Sequence, residues 1–270
     1  MNSIEFKTRM ASLPEPKGND KPPYWGYWQH DLRLNVINAK DTTQIFSWPV
    51  VYHCFLQNHI LGAVWYEYND LIQDNNSSKW LSAAVMPNFG APRDYLKDTE
   101  FSANLLHQVY HIKQLADVTG TDITKLDTIV EFGCGYGAMA LVLRRLGFTG
   151  HYIAYDLPEL LLLQKYYLSN TLPSLKDMSF CSSISTLKTH HKQADLLIAC
   201  GSITEVDYSL RTKFLNSVKF DRFLLMYANI FEKFDNVEWV NNYAHERRDL
   251  AWRTVRMSHF PDNAYYTFAY

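Results

Sequence analysis

The feature that most constrains the fold of this 270-residue chain is a glycine-rich turn between an apolar run and a helix-forming segment. Residues 129–132 are apolar apart from one carboxylate, as expected of a strand that is covered on both faces. Gly133, Gly135 and Gly137 follow at once, and glycine adopts positive φ without a steric penalty. The pattern predicts a strand, a tight turn and a helix over residues 138–146 whose first N–H groups face the turn.

Two acidic residues accompany this turn. Glu131 lies two positions before the first glycine, and Asp156 ends the next apolar strand, residues 151–156. Dinucleotide-binding folds place an acidic residue about 20 positions past their glycines, where it binds ribose hydroxyls. A carboxylate can accept two charge-assisted hydrogen bonds from such a diol. The glycine order is G-x-G-x-G rather than the G-x-G-x-x-G of dinucleotide enzymes, and the whole set predicts a pocket for a nucleoside-bearing cofactor.

The chain beyond residue 100 alternates between strand and helix patterns, which indicates a mostly parallel sheet. Strands are predicted near residues 128–132, 151–155, 178–182, 195–200 and 221–227. Helices are predicted near residues 102–118, 137–146, 159–170, 184–190, 208–218 and 236–248. The last two runs, 252–258 and 264–269, are joined by Pro261-Asp-Asn263 and predict an antiparallel hairpin.

The first 100 residues have a different character. A polar leader with prolines from Pro14 to Pro23 favours extended structure, and helices are predicted over residues 28–39 and 50–69, with a loop at 75–78. Five of the seven tryptophans lie in the first 80 residues, where they form an aromatic mini-core or, alternatively, a surface that stacks on sugars. We therefore predict a mainly helical N-terminal appendage over residues 1–100, a candidate substrate lid, and a cofactor-binding domain over residues 101–270.

Composition excludes some classes of protein. Charged residues make up 20% of the chain, hydrophobic residues 47%, and the formal net charge is −2, which argues against a protein that tracks nucleic-acid phosphates. The N-terminus lacks a signal-peptide profile, and no apolar run has membrane-spanning length. The four cysteines show no C-x-x-C spacing, which predicts reduced thiols and no zinc site. We expect a cytoplasmic protein without membrane insertion and without a nucleic-acid partner.

Three motifs together resemble a known family. Glu131-Phe-Gly-Cys-Gly-Tyr-Gly137 resembles motif I of the class I S-adenosylmethionine (SAM)-dependent methyltransferases. Tyr155-Asp-Leu-Pro-Glu159 and Leu163-Gln-Lys-Tyr-Tyr-Leu168 are similar to motifs of a narrower group, the putative sugar O-methyltransferases. The similarity covers roughly residues 86–206, and Cys134 stands where the narrower group has glycine.

The resemblance implies a fold, a cofactor and a reaction. The fold is a Rossmann-like class I methyltransferase sheet, α/β and mostly parallel, with a terminal antiparallel hairpin. The cofactor is SAM, the product is S-adenosyl-L-homocysteine, and the acceptor is a hydroxyl of a sugar, nucleotide-sugar or glycan. Under this interpretation Glu131 helps to hold the methionine ammonium and Leu157 covers the adenine. The expected cofactor-binding residues are Glu131, Phe132, Gly133, Cys134, Gly135, Tyr136, Gly137, Asp156, Leu157, Ser182, Ser183, Cys200, Gly201 and Ser202.

Methylation of a hydroxyl requires that its proton be removed by a base or that a metal activate it. The stretch Ser202-Ile-Thr-Glu205 is similar to a Ser/Glu-containing stretch that the narrower group has after its fourth strand, so Glu205 is the first candidate for the base. Asp207, His245 and His259 are further candidates on the substrate side. The sequence shows no clear set of metal ligands, and dependence on a divalent metal stays open.

Other interpretations remain open beside this one. A methyltransferase of another small molecule or of a peptide would carry the same turn. A nicotinamide-dependent dehydrogenase would show G-x-G-x-x-G, which this chain lacks. A non-catalytic module would bind SAM and turn over no acceptor. The sequence leaves the acceptor and the oligomeric state undetermined.

Overall fold

The computed structural model describes residues 1–14, 23–55, 61–90, 96–260 and 263–270 as an alternation of helices and strands. The α-helices are α1 Ser3–Ala11, α2 Pro23–Asn38, α3 Pro49–Phe55, α4 Leu61–Gln73, α5 Ser77–Ala84, α6 Ala103–Thr119, α7 Ala138–Arg145, α8 Pro158–Thr171, α9 Ile184–His190, α10 Tyr208–Leu215 and α11 Asn236–Glu246. The strands are β1 Thr128–Phe132, β2 His151–Tyr155, β3 Met178–Cys181, β4 Gln193–Ala194, β5 Leu196–Cys200, β6 Lys219–Phe220, β7 Phe223–Ala228, β8 Ile230–Phe231, β9 Phe234–Asp235, β10 Trp252–Arg256 and β11 Ala264–Ala269. Short 3₁₀ helices cover Thr42–Ser47, Ile123–Lys125 and Ile203–Glu205.

One seven-stranded sheet has the strand order β10-β11-β7-β5-β1-β2-β3. Strands β3, β2, β1, β5 and β7 run parallel, whereas β11 lies antiparallel between β7 and β10. Val130 of β1 pairs with Ile153 on one side and with Leu197 on the other. The central strands are almost entirely buried, as expected of a parallel sheet covered on both faces. The predicted α/β fold, mostly parallel with a terminal antiparallel hairpin, is confirmed.

The strand order reverses between β1 and β5. From β1 the chain proceeds outward to β2 and β3, and then returns to the other side of β1 to form β5 and β7. In open α/β sheets, ligands bind outside the carboxyl ends of the strands at this kind of reversal. Gly133 and Gly201 are the residues that directly follow β1 and β5. The topology therefore directs attention to the segments that begin with these two glycines.

The chain divides into two compact units that interleave along the sequence. The first comprises Met1–Tyr110, Cys134–Leu146 and Asp156–Lys176, and the second comprises the remaining ranges His111–Gly133, Gly147–Tyr155 and Asp177–Tyr270. The first unit contains α1 to α5, α7 and α8, together with the start of α6. The second contains the whole seven-stranded sheet together with α9, α10 and α11.

Each unit has an aromatic core of its own. In the first, Phe6 stacks on Tyr166 with ring centroids 4.3 Å apart. In the second, Phe214 of α10 packs against Phe132 and Tyr155, at 4.7 and 4.8 Å between centroids. Stacked and edge-to-face ring pairs at these distances add to the stabilisation from burial alone. The Phe6–Tyr166 pair contains none of the tryptophans of the predicted N-terminal mini-core, which stays a prediction.

Two helices lie where the sequence predicted irregular structure. Helix α1 forms within the supposed extended leader, because the prolines start only at Pro14 and because Phe6 and Met10 bury one face. Its cap is Asn2, whose side chain accepts a hydrogen bond from the Glu5 amide. Helix α5 begins at Ser77, within the predicted loop, and buries Trp80. In both segments tertiary burial outweighs the local turn signals.

Parts of three predictions lie outside the described residues. These parts are the leader prolines Pro16 and Pro22, residues 56–60 of the helix predicted over 50–69, and residues 261–262 of the hairpin turn. Within the described ranges, no helix combines the length and the apolar composition that a membrane crossing requires.

Candidate functional site

The glycine-rich turn has the backbone geometry that its sequence predicts. Gly133, Gly135 and Gly137 have φ values of +75°, +53° and +100°, a region that favours glycine. The Gly133 amide donates to the Tyr155 carbonyl at 2.9 Å, which joins the start of the turn to the end of β2. Gly137 is the N-cap of α7 and has no side chain to cap it, so the first N–H groups of the helix are left for other acceptors.

The protein uses the space that the missing Cβ atoms leave. A Cβ at Gly133 would lie 2.3 Å from the Ser202 Cβ, and one at Gly137 would lie 2.8 Å from the Gln164 Cγ. At Gly135 the neighbour is the half-buried ring of Phe55, 3.1 Å from the added atom. The glycines therefore permit close packing of side chains as well as positive φ. Any ligand at this turn must lie along the N–H side of the backbone rather than in the Cβ positions.

Asp156 is fixed by two backbone hydrogen bonds within the first unit. One carboxylate oxygen, Oδ2, accepts from the Gly135 amide at 3.0 Å, and Oδ1 accepts from the Leu157 amide at 2.7 Å. Each oxygen has a second lone pair, so the carboxylate can also accept hydrogen bonds from a diol. The carboxylate is partly exposed, and its hydrogen bond to the Gly135 amide of the glycine-rich turn helps to set its orientation. Such a preorganised acceptor suits a ribose.

The residues after Asp156 anchor the N-terminal helices. Glu159 is 2% exposed and accepts from the Arg33 Nη2 at 2.6 Å and from the Gln29 Nε2 at 2.7 Å, both on α2. Arg33 also donates to the carbonyl of Pro14 at 2.7 Å. A buried carboxylate needs such a partner, since an unpaired one is costly. The sequence does not predict this cluster, because Glu159 lies more than 100 positions away from both Gln29 and Arg33.

A small apolar recess adjoins Leu157 in the first unit. It comprises about 260 Å³ of space, its open mouth included, and its walls include Trp28, Leu32, Val50, Phe55, Leu157 and Leu160. Leu157 was predicted to cover the adenine, and Phe55 is the residue that touches Gly135. The space enclosed behind the mouth holds no more than about one water molecule, so the recess is an apolar surface beside Leu157 rather than a ring-sized cavity.

In the second unit, Glu131 is buried and Cys200 is half-buried. Glu131 is 5% exposed and accepts a hydrogen bond from the Tyr152 hydroxyl. Burial, reinforced by the negative charge of Glu131, raises the pKa of the Cys200 thiol well above its ordinary value. Cys200 is therefore a neutral thiol at physiological pH rather than a nucleophile.

The segment after β5 carries the candidate base. Ser202 donates from its hydroxyl to the Phe132 carbonyl at 2.5 Å, which joins the ends of β5 and β1. Glu205 ends the 3₁₀ helix Ile203–Glu205, and its amide donates to the Ser202 carbonyl at 2.9 Å. Burial, with a smaller contribution from the charge of Glu232, raises the pKa of Glu205 to about 8. A carboxyl group with this pKa can exchange a proton near neutral pH.

The remaining predicted residues lie on other elements. Ser183 caps α9 by accepting from the Thr186 amide at 3.1 Å, and Ser182 is exposed just before it. His245 is exposed in the last turn of α11, and His259 follows β10. Across the described ranges, no group of three His, Cys, Asp or Glu side chains is arranged to hold a metal ion.

Comparisons with known proteins yield only distant structural likenesses. No family model and no curated protein sequence matches this chain. A methyltransferase domain of bacterial CtHen1 is 17% identical and covers 62% of this chain and 99% of its own, with a TM-score of 0.47. Aeropyrum pernix fibrillarin in complex with SAM is 12% identical, covering 59% of this chain and 74% of its own, with a TM-score of 0.44.

A SAM-dependent methyltransferase from Aquifex aeolicus is 14% identical and covers 59% of this chain and 88% of its own, with a TM-score of 0.42. Identities and TM-scores this low do not assign an activity to this chain.

Proposed function

We propose that this chain is a SAM-dependent methyltransferase that binds the adenosyl group through its glycine-rich turn and Asp156. The observation that carries the proposal is the carboxylate of Asp156, held on the Gly135 amide at 3.0 Å directly after β2. A ribose diol donates two hydrogen bonds to such a group, and Leu157 provides an apolar surface beside it for the base. The N-terminus of α7, which directly follows the turn, is an electrostatically favourable place for polar groups of the rest of the cofactor.

The sheet topology favours this proposal over a dehydrogenase. Dinucleotide-binding sheets have the order 3-2-1-4-5-6, with every strand parallel in the usual case. Here β11 is inserted antiparallel between β7 and β10. The family that the motifs resemble has an antiparallel terminal hairpin of this kind, and the G-x-G-x-G order also departs from the dinucleotide pattern.

The acceptor of the proposed reaction is a hydroxyl of a sugar, nucleotide-sugar or glycan. This part rests on the similarity of residues 155–168 and 202–205 to the putative sugar O-methyltransferases. The cofactor supplies a methyl group on a positively charged sulfonium. Glu205 then has the remaining task, because its pKa of about 8 lets it take the hydroxyl proton as the oxygen attacks. The roles of Glu131, Ser182, Ser183, Cys200, Gly201, Ser202, His245 and His259, like the cytoplasmic setting, stay predictions.

A matched pair of variants tests the cofactor site. Asp195 is also a partly buried Asp, and its Oδ2 accepts from the amides of Asp127 and Thr128 at 2.7 and 2.8 Å, at the start of β1. Asp156→Ala and Asp195→Ala therefore each remove a carboxylate that accepts two backbone N–H groups, in one case just after a parallel strand of the chain and in the other just before one. Calorimetry with SAM should show affinity reduced roughly 10- to 100-fold in Asp156→Ala, and changed less than about threefold in Asp195→Ala.

Equal losses in the two variants would mean that Asp156 contributes to stability alone, and the site assignment would fail. Circular dichroism of both variants before titration confirms that each is folded. Incubation with methyl-labelled SAM and fractionated cell extracts then tests for methyl transfer. The expected product is a sugar-containing compound that carries the labelled methyl group. Label on a peptide or an aromatic compound would replace the sugar hypothesis while leaving the cofactor assignment intact.

A further inference from the structure

A fully buried arginine braces the turn that carries Glu205. Arg211 on α10 is 0% exposed, which is rare for an arginine without a special reason. Its Nη2 donates to the Thr204 carbonyl at 2.6 Å and its Nε donates to the Val206 carbonyl at 2.8 Å. These two carbonyls belong to the residues immediately before and after Glu205. One rigid guanidinium thus holds the backbone on both sides of the candidate base.

The surroundings of Arg211 keep it charged and immobile. The guanidinium carbon lies 4.8, 4.9 and 4.7 Å from the ring centroids of Tyr208, Phe234 and Trp239. Ring faces at this distance attract a cation, and arginine stacks on them better than lysine does. Burial lowers the pKa of Arg211 to about 10, so the group remains protonated at neutral pH. The surrounding carbonyls and ring faces offset much of the cost of burying this charge.

Asn236 connects this arrangement to the sheet. The Arg211 Nη1 donates to the Asn236 Oδ1 at 3.0 Å, and the Asn236 Nδ2 donates to the Ala228 carbonyl at 3.0 Å, at the end of β7. Asn236 is itself fully buried. The side chains of Arg211 and Asn236 therefore connect the Glu205 turn to the end of strand β7 through hydrogen bonds. A polar chain that is satisfied at each step restricts movement more than apolar packing does.

We propose that Arg211 is a positioning residue, which holds the Glu205 carboxyl in its partly buried place by fixing the carbonyls on either side. The inference rests on the proposed role of Glu205 as the base that receives the acceptor proton. Proton transfer requires the base within hydrogen-bond reach, and small displacements of a reacting group are costly. Lysine cannot reproduce this role, because its point charge lacks the planar fork that reaches both carbonyls.

The pH dependence of stability reports where the Glu205 carboxyl lies. A carboxyl whose pKa is raised on folding binds its proton more tightly in the native state, so stability falls as pH rises from about 4.5 to about 8. Glu205→Gln removes this dependence. The charged groups that bear on the turn are Glu232 at the tip between β8 and β9, Asp207 at the start of α10, and Arg211 itself. Comparing variants that differ only at residue 205 cancels the titration of the others.

The test uses four proteins: wild type, Glu205→Gln, Arg211→Lys and the double variant, unfolded thermally at pH 5 and pH 9. In the native background, Glu205→Gln should raise the unfolding temperature at pH 9 by several degrees more than at pH 5. In the Arg211→Lys background, this difference should shrink to less than half, because a released Glu205 becomes hydrated and ionises freely. A full-sized difference in both backgrounds would show that Arg211 serves the core alone and would overturn the proposal.

Asn236→Ala supplies a second route if Arg211→Lys does not fold. It removes one of the three acceptors of the guanidinium, so the pH-dependent effect of Glu205→Gln should fall in the same direction by a smaller amount. No pH-dependent effect of Glu205→Gln even in the native background would also overturn the proposal. None of these measurements includes SAM, so a failure of the proposed function, seen as absent SAM binding, is distinguishable from a failure of this inference.

Discussion

Asp156 and Glu205, two acidic residues that follow parallel strands, lie in environments that act oppositely on a carboxylate. Asp156, after β2, accepts backbone N–H groups on both carboxylate oxygens, one of them from the glycine-rich turn. Glu205, after β5, is partly buried near a second carboxylate, and its pKa rises to about 8. Donors favour the ionised form, whereas desolvation and like charge favour the protonated form.

The contrast shows how one fold can assign different work to the same chemical group. A carboxylate fixed by N–H donors can hold a ligand but is poorly suited to taking up protons. A carboxyl group with a raised pKa can take up and release protons near neutral pH but binds hydroxyls less well while protonated. Enzymes commonly separate acid–base and binding roles in this way. Substitutions at Asp156 and at Glu205 should therefore differ in their effects on SAM affinity, turnover and stability.

The largest expected effect is on turnover. Glu205→Gln removes the group that receives the proton, so the rate with a competent acceptor should fall roughly 100- to 10,000-fold, while SAM affinity changes less than about threefold. Release of S-adenosyl-L-homocysteine measures the rate, and calorimetry measures the affinity. Glu246→Gln, at the exposed end of α11, is the control and should keep full activity. Full activity in Glu205→Gln would end its assignment as the base.

Replacing the Asp156 carboxylate by the isosteric amide should affect SAM binding and protein stability instead. Asp156→Asn places an NH₂ group against one of two backbone donors, so SAM affinity should fall about tenfold and stability by about 1–2 kcal/mol. Glu205→Gln should do the reverse at pH 9 and stabilise the protein, because a carboxylate no longer has to ionise where it is partly buried. Urea unfolding at pH 9 measures the stability of both variants, and calorimetry measures their affinity for SAM. Destabilisation by both variants would contradict the contrast.

The smallest expected effect concerns Glu232. Its negative charge is a secondary cause of the raised pKa of Glu205, so Glu232→Gln should lower that pKa slightly. The pH at which turnover reaches half its maximum should then shift down from about 8 by a fraction of a unit. A pH–rate profile of both proteins measures the shift. An upward shift would mean that Glu232 acts through a change of conformation rather than through its charge.

The sequence predicted the parts of the molecule that depend on neighbours along the chain. The glycine turn, the position of Asp156 after β2 and the alternation of strands and helices follow from local pattern, whereas the place of the antiparallel hairpin in the sheet was expected only from the family resemblance. Contacts across more than 100 positions, such as Arg33 with Glu159, leave no local trace. Helix α1 was missed because proline signals were extended backward over residues that contain none.

Arg211 could have been noticed, but its partners could not. It precedes Phe214 and Leu215 by three and four positions, so it lies on the buried stripe of α10. A charged residue on an apolar stripe indicates a buried polar contact, although the pattern does not say with what. The carbonyls of Thr204 and Val206 belong to the turn after β5, whereas the side-chain amide of Asn236 belongs to α11, so their convergence on Arg211 depends on tertiary structure.

Titration of the wild-type protein with SAM tests the central claim most directly. We expect saturable binding to one site per chain, competed by S-adenosyl-L-homocysteine and unaffected by NADH or NADPH. Binding of a nicotinamide dinucleotide with no response to SAM would contradict it.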